Sequence, residues 1–154
     1  MTVADTRISR RTLLMIIASL ALPLPASAQP HTPDRKGNPM RLRFVFADQE
    51  FTATLEDNPS AHDLFSMLPL DLKISDYSTN EKIAYLPRKL TEEGSGRVRG
   101  EAVGDLCYYA PWGNLAMFHG PYTWSRGLIR LGRLDHGAKP LLVRGEHPLR
   151  VEAL

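Results

Sequence analysis

Arg41-Leu42-Arg43-Phe44-Val45-Phe46, a short polar connection at Asp48-Gln49, and then Phe51-Thr52-Ala53-Thr54-Leu55 decide the fold. In the first run Leu42, Phe44 and Phe46 share one face, with Arg41, Arg43 and Val45 on the other. In the second, Phe51, Ala53 and Leu55 face one way, with Glu50, Thr52 and Thr54 opposite. Successive side chains of a strand point to opposite sides, so a period of two marks a half-buried strand. Two such runs joined by a short polar link predict a β-hairpin.

Downstream the period changes once and returns. Asn58 precedes Pro59, a pair suited to the cap and first turn of a helix. Ala61, Leu64, Phe65 and Leu68 then follow one helical stripe, predicting a helix from Pro59 to Met67 that stops before Pro69. Leu70, Leu72 and Ile74 alternate with Asp71, Lys73 and Ser75. Short strands are expected at Ile83–Leu86, Leu106–Tyr109, Leu115–Phe118, Leu128–Leu134, Leu141–Val143 and Leu149–Val151, with a bulge or bend at Gly132. Thr91–Gly100, rich in glycine and glutamate, and Pro121–Gly127 read as loops. About eight short strands with one helix predict a mainly β fold, a small closed eight-stranded β-barrel with one or two short helices. A two-sheet sandwich with a helix across one end is the competing arrangement.

Upstream the composition shifts. Gln29–Pro39 carries prolines, a glycine and scattered charge, and reads as a flexible linker, so the domain is expected over residues 40–154. Before it, Arg7, Arg10 and Arg11 precede an uncharged apolar run from Leu13 to Leu24, followed by Ala26-Ser27-Ala28. A positive segment, a short apolar segment and a small-x-small site form a secretory signal, with cleavage expected after Ala28. The run falls short of the roughly 20 residues that span a bilayer, so no membrane attachment is expected after cleavage. Ser9-Arg10-Arg11-Thr12-Leu13-Leu14 resembles the twin-arginine export motif, with Arg10 and Arg11 as its pair. An ordinary secretory signal with a chance arginine pair is the alternative. The expected location is the periplasm or the outside of the cell.

The signal also explains the charge of the chain, which is +2 overall. Of 19 basic and 17 acidic residues it takes Arg7, Arg10, Arg11 and Asp5, leaving 16 of each. A near-neutral mature domain without a basic cluster is not expected to bind nucleic acid. The single cysteine, Cys107, cannot form an internal disulfide and lies in an apolar run, so it reads as a buried structural thiol. The histidines are scattered without metal-ligand spacing, and no Gly-Lys-Ser/Thr phosphate cradle occurs. Neither a metal nor a cofactor is expected. Gly94-Ser95-Gly96 has the wrong spacing for a nucleophile elbow. Asp105 after Gly104 reads as a turn residue. Glu81 reads as a local cap or pair, because general acid–base work would need a partner that the sequence does not assign.

One further signal runs from Tyr77 to Leu134. Asn80-Glu81-Lys82-Ile83, Tyr85-Leu86-Pro87, Gly104-Asp105-Leu106, Tyr108-Tyr109-Ala110-Pro111, Gly113-Asn114-Leu115-Ala116-Met117-Phe118 and Gly127–Leu134 together resemble the small bacterial cyclophilin-like domain family. The resemblance implies a compact eight-stranded barrel capped by helices. True cyclophilins isomerise the bond before proline, whose barrier is about 18–20 kcal/mol because the amide has partial double-bond character. They use an arginine aimed at the amide, carried in a phenylalanine-histidine-arginine segment that this chain lacks. No catalytic residue is therefore carried over. The candidate groove is drawn from loop and strand-end residues: Arg88, Tyr109, Trp112, His119, Trp124 and Arg126. For His119 the competing reading is a strand-end residue bonded to a loop carbonyl. The expected activity is binding of a peptide or small ligand; the alternative is a peptidyl-prolyl isomerase with a non-standard active site.

Overall fold

The computed structural model describes residues 37–154; the signal, its cleavage site and nearly all of the linker lie outside the described residues. β1 (Arg41–Phe46) and β2 (Gln49–Leu55) form the expected hairpin, with Phe46 opposite Gln49. The turn is one position earlier than the polar pair suggested: Ala47 takes a positive φ of 48°, and Gln49 already belongs to the ladder. Phe44 and Phe51 face each other inside and stack at 4.9 Å.

Helix α1 (Pro59–Ser66) starts as its sequence dictates. The Asn58 side chain accepts a hydrogen bond from the Ala61 N–H at 2.9 Å, and Pro59 occupies the first turn, where a missing N–H costs nothing. Its stripe delivers Ala61 and Leu64 into the core, both fully buried. Six strands follow: β3 (Leu70–Tyr77), β4 (Glu81–Tyr85), β5 (Asp105–Tyr109), β6 (Asn114–Phe118), β7 (Leu128–Leu134) and β8 (His147–Ala153). The segment around Leu141 is the one strand expectation that fails. Lys139–Leu142 is a 3₁₀ turn opened by Pro140, and it buries Leu141 alone. Three apolar residues in a row have no period to read, and a proline at the start favours the turn.

The strands close into a barrel in the order β1-β2-β7-β5-β6-β4-β3-β8, every pair antiparallel. Closure rules out the sandwich. β1 is held on one side by β2 and on the other by β8, with Phe44 opposite both Phe51 and Val151. The interior is filled by Leu42, Phe44, Ala53, Ile74, Leu106, Tyr108, Leu115, Met117, Leu131 and Val151, among others. Their apolar burial, about 25 cal/mol per Å², is the main stabilising term in a fold without a disulfide.

Gly132 makes the β2–β7 junction possible. The register slips by one residue as β7 passes β5: Leu106 pairs with Gly132 but Cys107 with Arg130, leaving Leu131 as the extra residue of a bulge. Gly132 lies so close to β2 that a Cβ built on it would sit 2.2 Å from the Thr54 carbonyl oxygen.

A largely buried ion pair sits on the inner side of β3 and β4. Lys82 is fully buried, its Nζ 2.8 Å from Asp76 Oδ1 and 5.7 Å from the centre of the Phe46 ring. Asp76 also accepts from the Gly145 N–H at 2.7 Å. These bonds, the one from Lys82 foremost, hold its carboxyl below the usual carboxylate range. A buried ammonium is tolerated only when paired in this way.

Candidate functional site

The strand pattern that fills the barrel also decorates its outside. On β6, Leu115 and Met117 point inward, so Asn114, Ala116 and Phe118 point out. On β4 the outward residues are Glu81, Ile83 and Tyr85, paired in that order with Phe118, Ala116 and Asn114. On β5, Tyr108 goes to the core, whereas Cys107 and Tyr109 face out. The small Ala116 side chain, flanked by Ile83 and backed by Leu128, leaves a trough of about 310 Å³ on this outer face.

Aromatic rings frame it. The β5–β6 hairpin turns through Ala110-Pro111-Trp112-Gly113, and Gly113 takes the left-handed φ of 72° that lets its N–H reach the Tyr109 carbonyl at 2.9 Å. That turn presents Trp112. Tyr77 and Tyr109 both meet Trp112 edge to face, with ring centres 5.3 and 5.5 Å away. Tyr122 stacks on Phe118 at 3.7 Å, nearly parallel. Tyr77, Tyr85 and Trp112 remain 42%, 56% and 47% exposed, so this face keeps large apolar groups in water that the barrel does not need to bury.

Asp105 anchors the Tyr122 side. Its carboxylate is fully buried and accepts from Tyr122 Oη at 2.6 Å, Arg133 Nε at 2.7 Å and the Ala102 N–H at 3.0 Å. It does far more than serve a turn. Burial first, and then the bond to Asp105, push the Tyr122 phenol above its ordinary range, so it stays protonated and donates. Behind Tyr122 lies the Cys107 thiol, 3.8 Å from the phenol oxygen. Burial pushes this thiol up to about 12. It is a structural thiol, protonated and unreactive near neutral pH.

Two polar groups in the trough stand apart. Asn114 is 2% exposed; its Nδ2 donates to the Leu115 carbonyl at 2.9 Å, and its Oδ1 has no partner. Glu81 is half-buried and forms no side-chain bond among the described residues. Desolvation alone holds its carboxyl above the usual range. Among the described residues it is the only charged side chain lining the trough.

Of the candidate groove residues, Tyr109 and Trp112 line this trough. Four lie elsewhere. Arg88 grips Asp63 through both guanidinium nitrogens, at 3.1 and 2.6 Å, and ties the segment after β4 to α1. Arg126 lines a separate hollow beside Glu92, Ser95 and Arg97. Trp124 folds back so that its Nε1 donates to the Leu128 carbonyl at 2.8 Å, with the Arg97 guanidinium 5.8 Å over its ring. His119 does meet a loop carbonyl, through its backbone N–H to Asn80 at 2.9 Å, and its ring does not line the trough. Sequence reasoning missed Asn114 as a site residue. Its signal was a lone polar side chain at an outward position of the otherwise apolar strand Asn114–Phe118.

The eight-stranded closed barrel agrees with one family assignment. The model of the cyclophilin-like family matches residues 44–152. The chain belongs to the cyclophilin-like family. The cyclophilin-like barrel also superposes on the solution structure of a hypothetical protein from Archaeoglobus fulgidus with a TM-score of 0.63. The two share 20% identity, and the match covers 79% of this chain and 99% of the other. That likeness speaks to the fold. No curated protein matches the chain. Among the described residues that line this trough there is no arginine. Among the described residues no group of three or more His, Cys, Asp or Glu side chains is placed to hold a metal ion.

Proposed function

We propose that this chain is an exported cyclophilin-like barrel that binds a short peptide segment or a small molecule in the trough on its outer face. The observation that carries this reading is the wall of Tyr77, Trp112 and Tyr109, the first two exposed and the third partly buried, beside a hollow of about 310 Å³. Concave sites lined by aromatic rings with a few polar groups are the usual form of a small-ligand site. The volume suits one side chain with its flanking peptide bonds, or a molecule of comparable size.

Two-dimensional NMR of the isotope-labelled full chain tests it, with indole, phenol and blocked proline dipeptides as probes. At least one probe is expected to shift the Trp112 indole N–H and the Asn114 side-chain amide together. Trp112→Ala is expected to weaken that probe about tenfold, read at Asn114, with the rest of the spectrum in place. Probes that leave both signals unmoved would sink the reading. Isomerase turnover of a proline peptide above background would replace it with the enzymatic one.

Export rests on Arg10, Arg11 and the Ala26-Ser27-Ala28 site, and the periplasm or the cell exterior is the proposed location. A reporter fused to residues 1–35 is expected to be exported, and to stay inside when Arg10 and Arg11 become lysine. Export that continues in cells lacking the twin-arginine translocase would return the signal to the ordinary secretory class.

A further inference from the structure

The polar groups of the trough narrow the chemistry of its occupant. This inference rests on the trough being a binding site and says what it binds. Its one charged group among the described residues and its one buried unpartnered polar atom are both acceptors. The amide of Asn114 is oriented by its own donor, since Nδ2 is already bonded to the Leu115 carbonyl; Oδ1 stays buried without a partner in the wall of the trough. A buried acceptor without a partner is costly in an empty protein and is satisfied by a donor that arrives. Glu81 is the second acceptor and the only charge among the lining residues. Its neighbour in sequence, Lys82, cannot neutralise it: that side chain points into the barrel and is bonded to Asp76.

The register sets the distance between the two. Glu81 pairs with Phe118, and Asn114 lies four residues from Phe118 along β6, which at about 3.3 Å per residue is about 13 Å. No single small group bridges them. Between them run the apolar floor of Ile83 and Ala116 and the flanking rings of Tyr109, Trp112 and Tyr122. Such rings also favour cations over anions, because the π face carries negative charge.

We infer that the trough receives an elongated organic cation, with a guanidinium or ammonium end on the Glu81 carboxylate, an apolar or aromatic middle, and a neutral N–H donor at the far end toward which the buried Asn114 Oδ1 turns. A carboxylate already raised by desolvation gains most from such a partner.

Benzoylargininamide is the probe, with its neutral isostere benzoylcitrullinamide and the anionic benzoylglutamate beside it, titrated into the full chain and followed by NMR. The arginine compound is expected to bind about tenfold more tightly than the citrulline compound, and the glutamate compound is expected not to bind. Glu81→Gln, at a partly buried position, is expected to bring the arginine compound down to the affinity of the citrulline compound and so abolish the difference between them. Equal binding of the arginine and citrulline probes to the unaltered chain would overturn the cation assignment and leave the trough a binding site. A bound arginine probe that leaves the Asn114 amide signal unmoved would overturn the assignment of its far end. A chain in which none of these probes, nor the indole and phenol above, moves Trp112 or Asn114 would overturn the binding reading itself.

Discussion

Gly132→Ala is expected to destabilise the barrel by about 3 kcal/mol or more, at the top of the range for adding one methyl group. The reason is where the methyl would go. Its carbon would lie 2.2 Å from the Thr54 carbonyl oxygen and 2.8 Å from the Leu55 Cα. Both are backbone atoms of β2, so no side chain can rotate out of the way. Relief requires β2 and β7 to separate, which strains the pairs Ala53–Leu134, Thr54–Arg133 and Leu55–Gly132. These are all the rungs that join β2 to β7, so the damage falls on the closure of the barrel. Chemical denaturation followed by circular dichroism measures the loss. A midpoint within about 0.5 kcal/mol of the unaltered chain, the range of an ordinary surface change, would show that β2 yields without cost and would sink the argument. Gly137→Ala is the control: its Cβ would meet nothing within 4 Å, although its φ of 81° adds backbone strain of about 1 kcal/mol.

The second large effect is expected at Asp105. Asp105→Ala removes a fully buried carboxylate and strands the groups that surround it: the Tyr122 hydroxyl, the Arg133 guanidinium at 2.7 Å and the Arg130 guanidinium at 3.7 Å. Removing one partner of a buried charge network costs about 3–5 kcal/mol, mostly from what is left unpaired. Arg130 retains the Arg99 and Gly100 carbonyls and Glu56, and Arg133 retains the Gly100 carbonyl, so about 3 kcal/mol is the expected loss. A second readout separates this from a general weakening. Tyr122 covers Cys107, and without Asp105 to hold its hydroxyl the ring is free to leave Phe118. Thiol labelling under native conditions, slow in the unaltered chain, is expected to speed up by more than the loss of global stability accounts for. Asp105→Asn keeps the shape and one acceptor and is expected to lose less on both measures. Labelling that tracks global unfolding alone would show that Asp105 does not position Tyr122.

Much of this fold is legible in the sequence because strand burial leaves a period of two. Leu42, Phe44 and Phe46 alternate because one face of β1 is core and the other solvent. The helix was legible because Asn58 and Pro59 act within a single turn. Gly132 was legible as a bend because a glycine inside an apolar strand has no side chain to contribute. What the period cannot convey is the partner. Nothing in Arg41–Phe46 says that its second neighbour is His147–Ala153, since alternation fixes a face and not an edge. The site was less legible for the same reason. Tyr109 and Trp112 were found because a tight hairpin keeps them together. Arg88 looked equally available until the structure showed it closed on Asp63, a partner 25 residues away. Glu81 was noticed for its charge, but its isolation could not be read, because isolation is a property of every element around it.

The place of β1 between β2 and β8 bears on when the protein can fold. The Arg43 side chain reaches Glu152, 109 residues further along the chain. Until β8 has been synthesised, β1 and β3 both present open edges, and a nascent chain holds an incomplete sheet. Contacts that span so much sequence form late and slowly. Closure of the barrel therefore waits until its eighth strand has emerged from the ribosome. Any step that needs the folded barrel, the proposed export among them, has to wait for that strand.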